Sequence, residues 1–251
     1  MYSLNERNPN MTAEAITQKF LRLRDDKKAQ HLARFFKTAE GDYGYGDKFL
    51  GIRVPVTRSI VKEYKNSIDI SICLELIRSQ WHEIRLAGFL LLIELYRKAK
   101  KLRDKAKIEE VVNSYIENIR YGNNWDLVDL VCGFILGDWL VYTPQERNIL
   151  DRFADMDDSL WHQRVAIVST LSLIRTSSYT DTIRISKKFL THKHDLIHKA
   201  TGWMLREMGK RGGYDELISF LDEYATVMPR TALRYSIERL PEDLRLYYLR
   251  K

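Results

Sequence analysis

Five segments of this 251-residue chain begin alike and recur at a near-constant step. They are Trp81-His-Glu-Ile-Arg85, Trp125-Asp-Leu-Val-Asp129, Trp161-His-Gln-Arg164, His194-Asp-Leu-Ile-His198 and Pro229-Arg-Thr-Ala-Leu-Arg234, with starts 44, 36, 33 and 35 residues apart. Each opens a stretch with apolar residues at helical spacing, and each follows another such stretch, so the repeating unit is a helix pair. Helix pairs at this period predict an all-α chain: a HEAT-like α-solenoid of stacked helix pairs, one domain over residues 1–251. Equivalent positions in such a stack line one continuous surface. The polar and aromatic residues at the helix starts are therefore expected on a shared concave, basic groove. The competing arrangement is a plain helical bundle whose helix starts resemble one another by capping chemistry.

The spacing pairs 70–79 with 81–97, 105–118 with 125–141, 144–153 with 160–174, 180–190 with 195–208, and 215–224 with 229–239. Ahead of these, 11–38 reads as two short helices, the first capped by Thr12. A helix over 55–65 carries Pro55 in its first turn, where proline is tolerated. Between them, residues 40–55 hold four glycines and two tyrosines and read as an ordered loop. No stretch shows the period-two alternation of a strand.

A hydrophobic content of 45% with 30% charged residues is that of a soluble globular protein. The longest dense apolar run, 89–96, is far too short to span a bilayer, and no signal peptide is visible at the N-terminus. Cys73 and Cys132, the only two cysteines, sit in apolar patterns and read as buried free thiols. This suits a reducing cytoplasm, so a cytoplasmic location is expected, nucleoid-associated in a bacterium. The net charge of +7 is uneven: residues 159–251 carry 16 Lys and Arg against 10 Asp and Glu, +6 of the excess. A basic half suits a polyanion such as nucleic acid.

Within the Trp125 helix start, Trp125 and Asp129 stand four apart on one face. An aromatic beside a carboxylate there is either a packed, capped corner or a working site, and spacing alone favours the corner. Lys199, Trp203, Arg206 and Lys210 fall at i, i+4, i+7 and i+11 along one helix. Three cations around one indole make a poor core face and match a surface that contacts phosphates. Arg164 begins an otherwise apolar helix, where pairing with Asp157 or Asp158 is the plain structural reading. Arg230 and Arg234 add two cations in the last repeat, for phosphate or surface ion pairs. His192, His194 and His198 match no zinc motif and read as capping or surface groups, so no metal is expected. No nucleophile elbow, phosphate-binding Gly-Lys-Ser/Thr loop or Rossmann turn occurs.

Taken together, Gly46-Asp-Lys-Phe-Leu-Gly-Ile-Arg-Val-Pro55, Asn124-Trp-Asp-Leu-Val-Asp129, Trp161-His-Gln-Arg164, Lys199-Ala-Thr-Gly-Trp-Met-Leu-Arg-Glu207 and Met228-Pro-Arg-Thr-Ala-Leu-Arg-Tyr235 resemble, in this order, the AlkD-type DNA alkylation-repair glycosylases. These are HEAT-like repeat proteins, and the resemblance covers nearly the whole chain. It implies a cleft in which Trp125, Trp203 and a catalytic Asp129 hold the lesion nucleotide. It also implies DNA contacts from Arg164 and Arg206, and an aromatic from the early loop, Tyr43 or Tyr45, near the lesion. The implied activity is monofunctional removal of positively charged N3- or N7-alkylated purines from duplex DNA, without a cofactor and by a monomer. Two other readings of the same features are a non-catalytic duplex-DNA-binding scaffold and a protein-binding HEAT-repeat adaptor.

Overall fold

The computed structural model describes residues 12–251, and every regular element among them is helical. The one β-type pairing among these residues is an isolated parallel bridge between Lys48 and Trp81. By packing, the chain divides into two compact units, with the division between Leu127 and Val128. No single helix among the described residues is long and apolar enough to cross a membrane.

The first unit begins with the helices Ala13–Leu21 and Asp26–Phe35. Thr12 caps the first as expected, its hydroxyl accepting from the Ala15 N–H at 3.1 Å. Met11, where the expected helical region began, lies outside the described residues. Val54–Tyr64 carries Pro55 in its opening turn. Ile70–Ile77, His82–Leu102 and Lys105–Asn118 follow, the first and last capped by Asp69 and Asp104. His82–Leu102 is the core element, buried on nearly every face from Ile84 to Tyr96. The intervening loop is ordered because one buried carboxylate holds it. Glu83 accepts from the N–H groups of Leu50, Gly51 and Ile52 at 2.9, 2.9 and 3.1 Å. The His82 N–H adds a bond to the Lys48 carbonyl at 2.8 Å.

The helix expected over 125–141, which runs through the division, is interrupted. It is α-helical over Trp125–Asp129, takes a π-turn over Gly133–Gly137, and resumes over Asp138–Tyr142. The Gly137 N–H reaches back five residues to the Cys132 carbonyl at 2.9 Å, and the Ser172 hydroxyl donates to the Gly133 carbonyl at 2.7 Å. A π-turn inserts one extra residue and frees a carbonyl for an outside donor. The helix expected over 160–174 likewise breaks, into Leu160–Val168 and Thr170–Ile174. There the Thr170 hydroxyl competes for the Ile167 carbonyl at 2.7 Å. Thr180–Lys188, Asp195–Lys210, Tyr214–Tyr224 and Arg230–Ser236 fall where expected, and a last helix, Glu242–Arg250, was not anticipated. Its signal is Pro241 followed by Glu242 and Asp243, which suits the positive end of a helix.

Asp195–Lys210 and Arg230–Ser236 touch backbone to backbone. A Cβ on Gly202 would lie 2.4 Å from the Ala232 carbonyl oxygen and 2.5 Å from the Tyr235 Cβ. Only glycine fits there, and its neighbour is Trp203. Both cysteines are buried, and burial pushes their thiols up, that of Cys132 to about 12.

Candidate nucleic-acid interface

All five recurrent segments mark real helix starts. Trp81, His194 and Pro229 each immediately precede a helix, Trp125 opens one, and Trp161 is second in one. Within the first unit, Trp125 is half-buried at the end of a stack of rings. Its indole lies on Phe36 at 5.2 Å and 26°, Phe36 on Phe49 at 5.1 Å and 14°, and Phe49 on the His82 imidazole at 4.4 Å and 23°. Each such pair adds about 0.5–1.5 kcal/mol beyond the area buried. Phe35, 59% exposed, meets Trp125 edge-on at 6.0 Å. Phe35 and Phe36, which precede the early loop, thus both lie beside Trp125. Tyr45 is exposed and Tyr43 half-buried within the loop.

The main chain leading to Trp125 is held by side chains. The Asn124 carbonyl oxygen accepts from the Trp125 N–H at 2.9 Å, while its amide donates to the Phe36 carbonyl at 3.3 Å. Gly44 must lack a side chain for this, since a Cβ there would fall 2.6 Å from the Phe36 carbonyl oxygen and 2.9 Å from the Asn124 amide. Below the stack lies a buried ionic cluster. His82 reaches Asp47 through Nδ1 at 2.7 Å and Asp126 through Nε2 at 2.9 Å. Arg85 donates to Asp47 at 2.5 Å and to the Asn123 side chain at 2.8 Å. Burial alone would push the imidazole down, but the charges and hydrogen bonds of Asp126 and Asp47 outweigh it and raise it to about 9. Burial pushes Asp47 up, and His82 and Arg85 more than reverse this, holding it below the usual carboxylate range.

Within the second unit, Asp129 and Arg164 form a two-pronged pair: Arg164 Nε donates to Oδ1 at 2.8 Å and Nη2 to Oδ2 at 2.7 Å. The third arm, Nη1, donates to the Leu196 carbonyl at 2.5 Å. Arg164 is 5% exposed. The carboxylate expected to pair with it, Asp157 or Asp158, is displaced by Asp129. The reason is directional. Arg164 points into the unit, toward the carbonyl of Leu196, the second residue of the helix Asp195–Lys210.

Lys199, Trp203, Arg206 and Lys210 share the unburied face of Asp195–Lys210, opposite Ile197, Ala200, Met204 and Met208. Each cation has an acidic neighbour: Lys199 pairs with Asp195 at 2.7 Å, Arg206 with Glu238, and Lys210 with Glu207 at 3.1 Å. Arg230 is exposed and donates to the Leu249 carbonyl at 2.8 Å, and Arg234 is exposed. The Lys199–Asp195 pair is the most exposed of the three, and a pair of that kind holds by about 0–1 kcal/mol, so a phosphate can take the carboxylate's place; Arg206 and Glu207 are set more deeply. His194 caps its helix through Nδ1, which accepts from the Leu196 N–H at 3.1 Å, and His192 Nδ1 accepts from the His194 N–H at 3.0 Å. Among the described residues no group of three or more His, Cys, Asp or Glu side chains is arranged to hold a metal ion.

The family model described as DNA alkylation repair enzyme matches residues 16–240. The chain belongs to the DNA alkylation repair enzyme family. Among solved structures, a predicted DNA alkylation repair enzyme from Enterococcus faecalis shares the fold, with a TM-score of 0.68 at 18% identity. That match covers 87% of this chain and 97% of the bacterial one. No curated protein matches the chain. Family membership makes this a DNA repair protein with DNA as its substrate.

The cluster beneath Trp125 escaped the sequence reading, although its members stood in quoted segments. His82, Glu83 and Arg85 open a helix that is otherwise apolar, and polar residues in such a place demand buried partners. Phe35 and Phe36 carried no signal apart from their pairing.

Proposed function

We propose that this family member is a monofunctional DNA glycosylase that removes N3- and N7-alkylated purines from duplex DNA, with Asp129 as the catalytic carboxylate. The observation that carries the reading is the fixed Asp129–Arg164 pair, with Asp129 the last residue of the five-residue helix that Trp125 begins. Alkylation puts a positive charge on the base. When the bond between the base and C1′ breaks, its electron pair leaves with the purine, and positive charge passes to the deoxyribose. A carboxylate already oriented stabilises that charge without reorganising in the transition state. Water then adds to C1′, and its proton passes to Asp129 or to solvent. The faces of Trp125 and Trp203 contribute attraction for the cationic sugar and restrict its position.

In this reading an aromatic from the early loop, Tyr43 or Tyr45, lies near the lesion, and the exposed Phe35 beside Trp125 is a further candidate for that contact. Lys199, Arg206, Lys210, Arg230 and Arg234 contact backbone phosphates by exchanging carboxylate partners for phosphate, and Arg164 steadies Asp129. The arrangement extends to one HEAT-like α-solenoid over 1–251 with a basic groove, supported by the recurrence of the five helix starts. The protein works as a cytoplasmic monomer, in base excision repair, with no metal or cofactor in the chemistry.

The test is incubation with duplex DNA carrying 7-methylguanine and 3-methyladenine, followed by chromatography of free bases. Release of either base with the sugar–phosphate strand left intact is expected. Salt-dependent duplex binding that leaves every base in place would replace this reading with a non-catalytic scaffold, and neither binding nor release would leave the protein-binding adaptor.

A further inference from the structure

A largely buried charge cluster lies directly under the residue that faces the substrate in the proposed function. Asp47, Asp126, Arg85 and His82 are each 8% exposed or less. Two carboxylates and one guanidinium leave an uncompensated negative charge in the protein interior. Such a charge is costly unless another partner neutralises it. The remaining partner is His82, and a carboxylate at hydrogen-bond distance from each of its ring nitrogens requires a proton on both.

The charged groups around the imidazole come from three elements: Asp47 from the loop, Asp126 from the Trp125 helix, and Glu83 and Arg85 from its own helix. Glu83 is committed to three backbone N–H groups of the loop. His82 is linked to Trp125 along two routes. One is covalent: Asp126 follows Trp125 and fixes the helix start by accepting from the Leu127 N–H at 2.9 Å. The other is the stack of Phe49 and Phe36, which carries the plane of the imidazole to the plane of the indole.

We infer that His82, doubly protonated between Asp47 and Asp126, is a positioning residue that sets the orientation of the Trp125 indole for base removal. This deepens the proposed function and rests on it for its kinetic consequence. Its structural consequence stands alone: when His82 loses a proton, one carboxylate loses its donor, and both the helix start and the stack shift at Trp125. His82 is raised to about 9, so the cationic form predominates at neutral pH and is lost as pH rises through that value.

The test uses the full chain labelled with 5-fluorotryptophan, the Trp125 resonance assigned through Trp125→Phe, and nitrogen-15 spectra of the histidine rings. In the wild type both ring nitrogens of His82 are expected to be protonated at pH 7. The Trp125 fluorine resonance should titrate together with them, with a midpoint near 9. Single-turnover release of 3-methyladenine should fall about three- to fourfold between pH 7 and pH 9.5, with the same midpoint. In His82→Gln, release at pH 7 should be lowered at least tenfold and this midpoint abolished, with duplex affinity changed less than threefold. His82→Arg, which keeps a cation between the carboxylates, should recover part of the rate without restoring the midpoint. A neutral His82 at pH 7, or a Trp125 resonance unmoved through the His82 titration, would overturn the inference, and neither measurement requires a variant of His82 to fold. If the wild type releases no base, the proposed function fails, while the two spectroscopic results still decide whether His82 sets Trp125.

Discussion

Asp129 carries the proposed chemistry, but its geometry belongs to Arg164. The guanidinium spends two of its arms on the carboxylate and one on a backbone carbonyl, so neither side chain can rotate alone. Replacing Arg164 by Ala leaves a mostly buried carboxylate and a buried carbonyl without their donor. The expected cost is about 3–5 kcal/mol, read as a lower urea midpoint with an unchanged slope. An unchanged midpoint would mean the pair is dispensable to the fold. Arg164 and Asp129 were each legible as candidates, because a cation and a carboxylate at apolar helix starts are conspicuous. Their pairing was not. It links positions 35 apart, and the nearer Asp157 and Asp158 offered a simpler partner. The cluster of Asp47, His82 and Asp126 escaped for the same reason, its bonds spanning 35 and 44 residues.

Among the elements, the early loop's main chain over residues 50–52 is held by a single carboxylate, that of Glu83. Removing it with Glu83→Ala strands three buried N–H groups and should cost on the order of 3 kcal/mol, with amide exchange accelerated at Leu50, Gly51 and Ile52. Exchange unchanged at these three amides would contradict that role. The contact between Asp195–Lys210 and Arg230–Ser236 allows a second test. Gly202→Ala places a methyl against the Ala232 carbonyl, and overpacking of this kind costs about 1–3 kcal/mol. A lower melting temperature and a red- or blue-shifted Trp203 emission are expected, and a variant as stable as the wild type would show that the two helices can separate freely. Element positions were legible because apolar spacing reports helices directly. The π-turn after Cys132 and the break at Ser169 were not, since both arise from single hydroxyls, Ser172 and Thr170, bonding to carbonyls.

Across the molecule, histidines bound stability from both sides. His82 is raised in the folded chain, so its contribution is full below pH 6.5, the ordinary value, and is lost as pH rises through about 9. Burial holds His192 and His194 below that ordinary value, so their contribution is present above pH 6.5 and is lost on acidification. Urea midpoints across pH 5–10 should therefore peak near neutrality, and His82→Gln should flatten the alkaline limb alone. The all-helical architecture was legible in the recurrence of five helix starts, and the basic C-terminal half in its charge count. The division at Leu127 and Val128 was not, because helical periodicity runs through it without a break. Stabilisation by Asp129 of positive charge on the sugar, as an alkylated purine departs, is the step on which the proposed function depends. It is tested most directly by single-turnover release of 3-methyladenine from methylated duplex DNA, with wild type and Asp129→Asn compared at saturating protein. Release by the wild type and a rate about 10²–10³-fold lower in Asp129→Asn are expected, with duplex affinity within a few-fold; equal rates for the two proteins would rule out this role for Asp129.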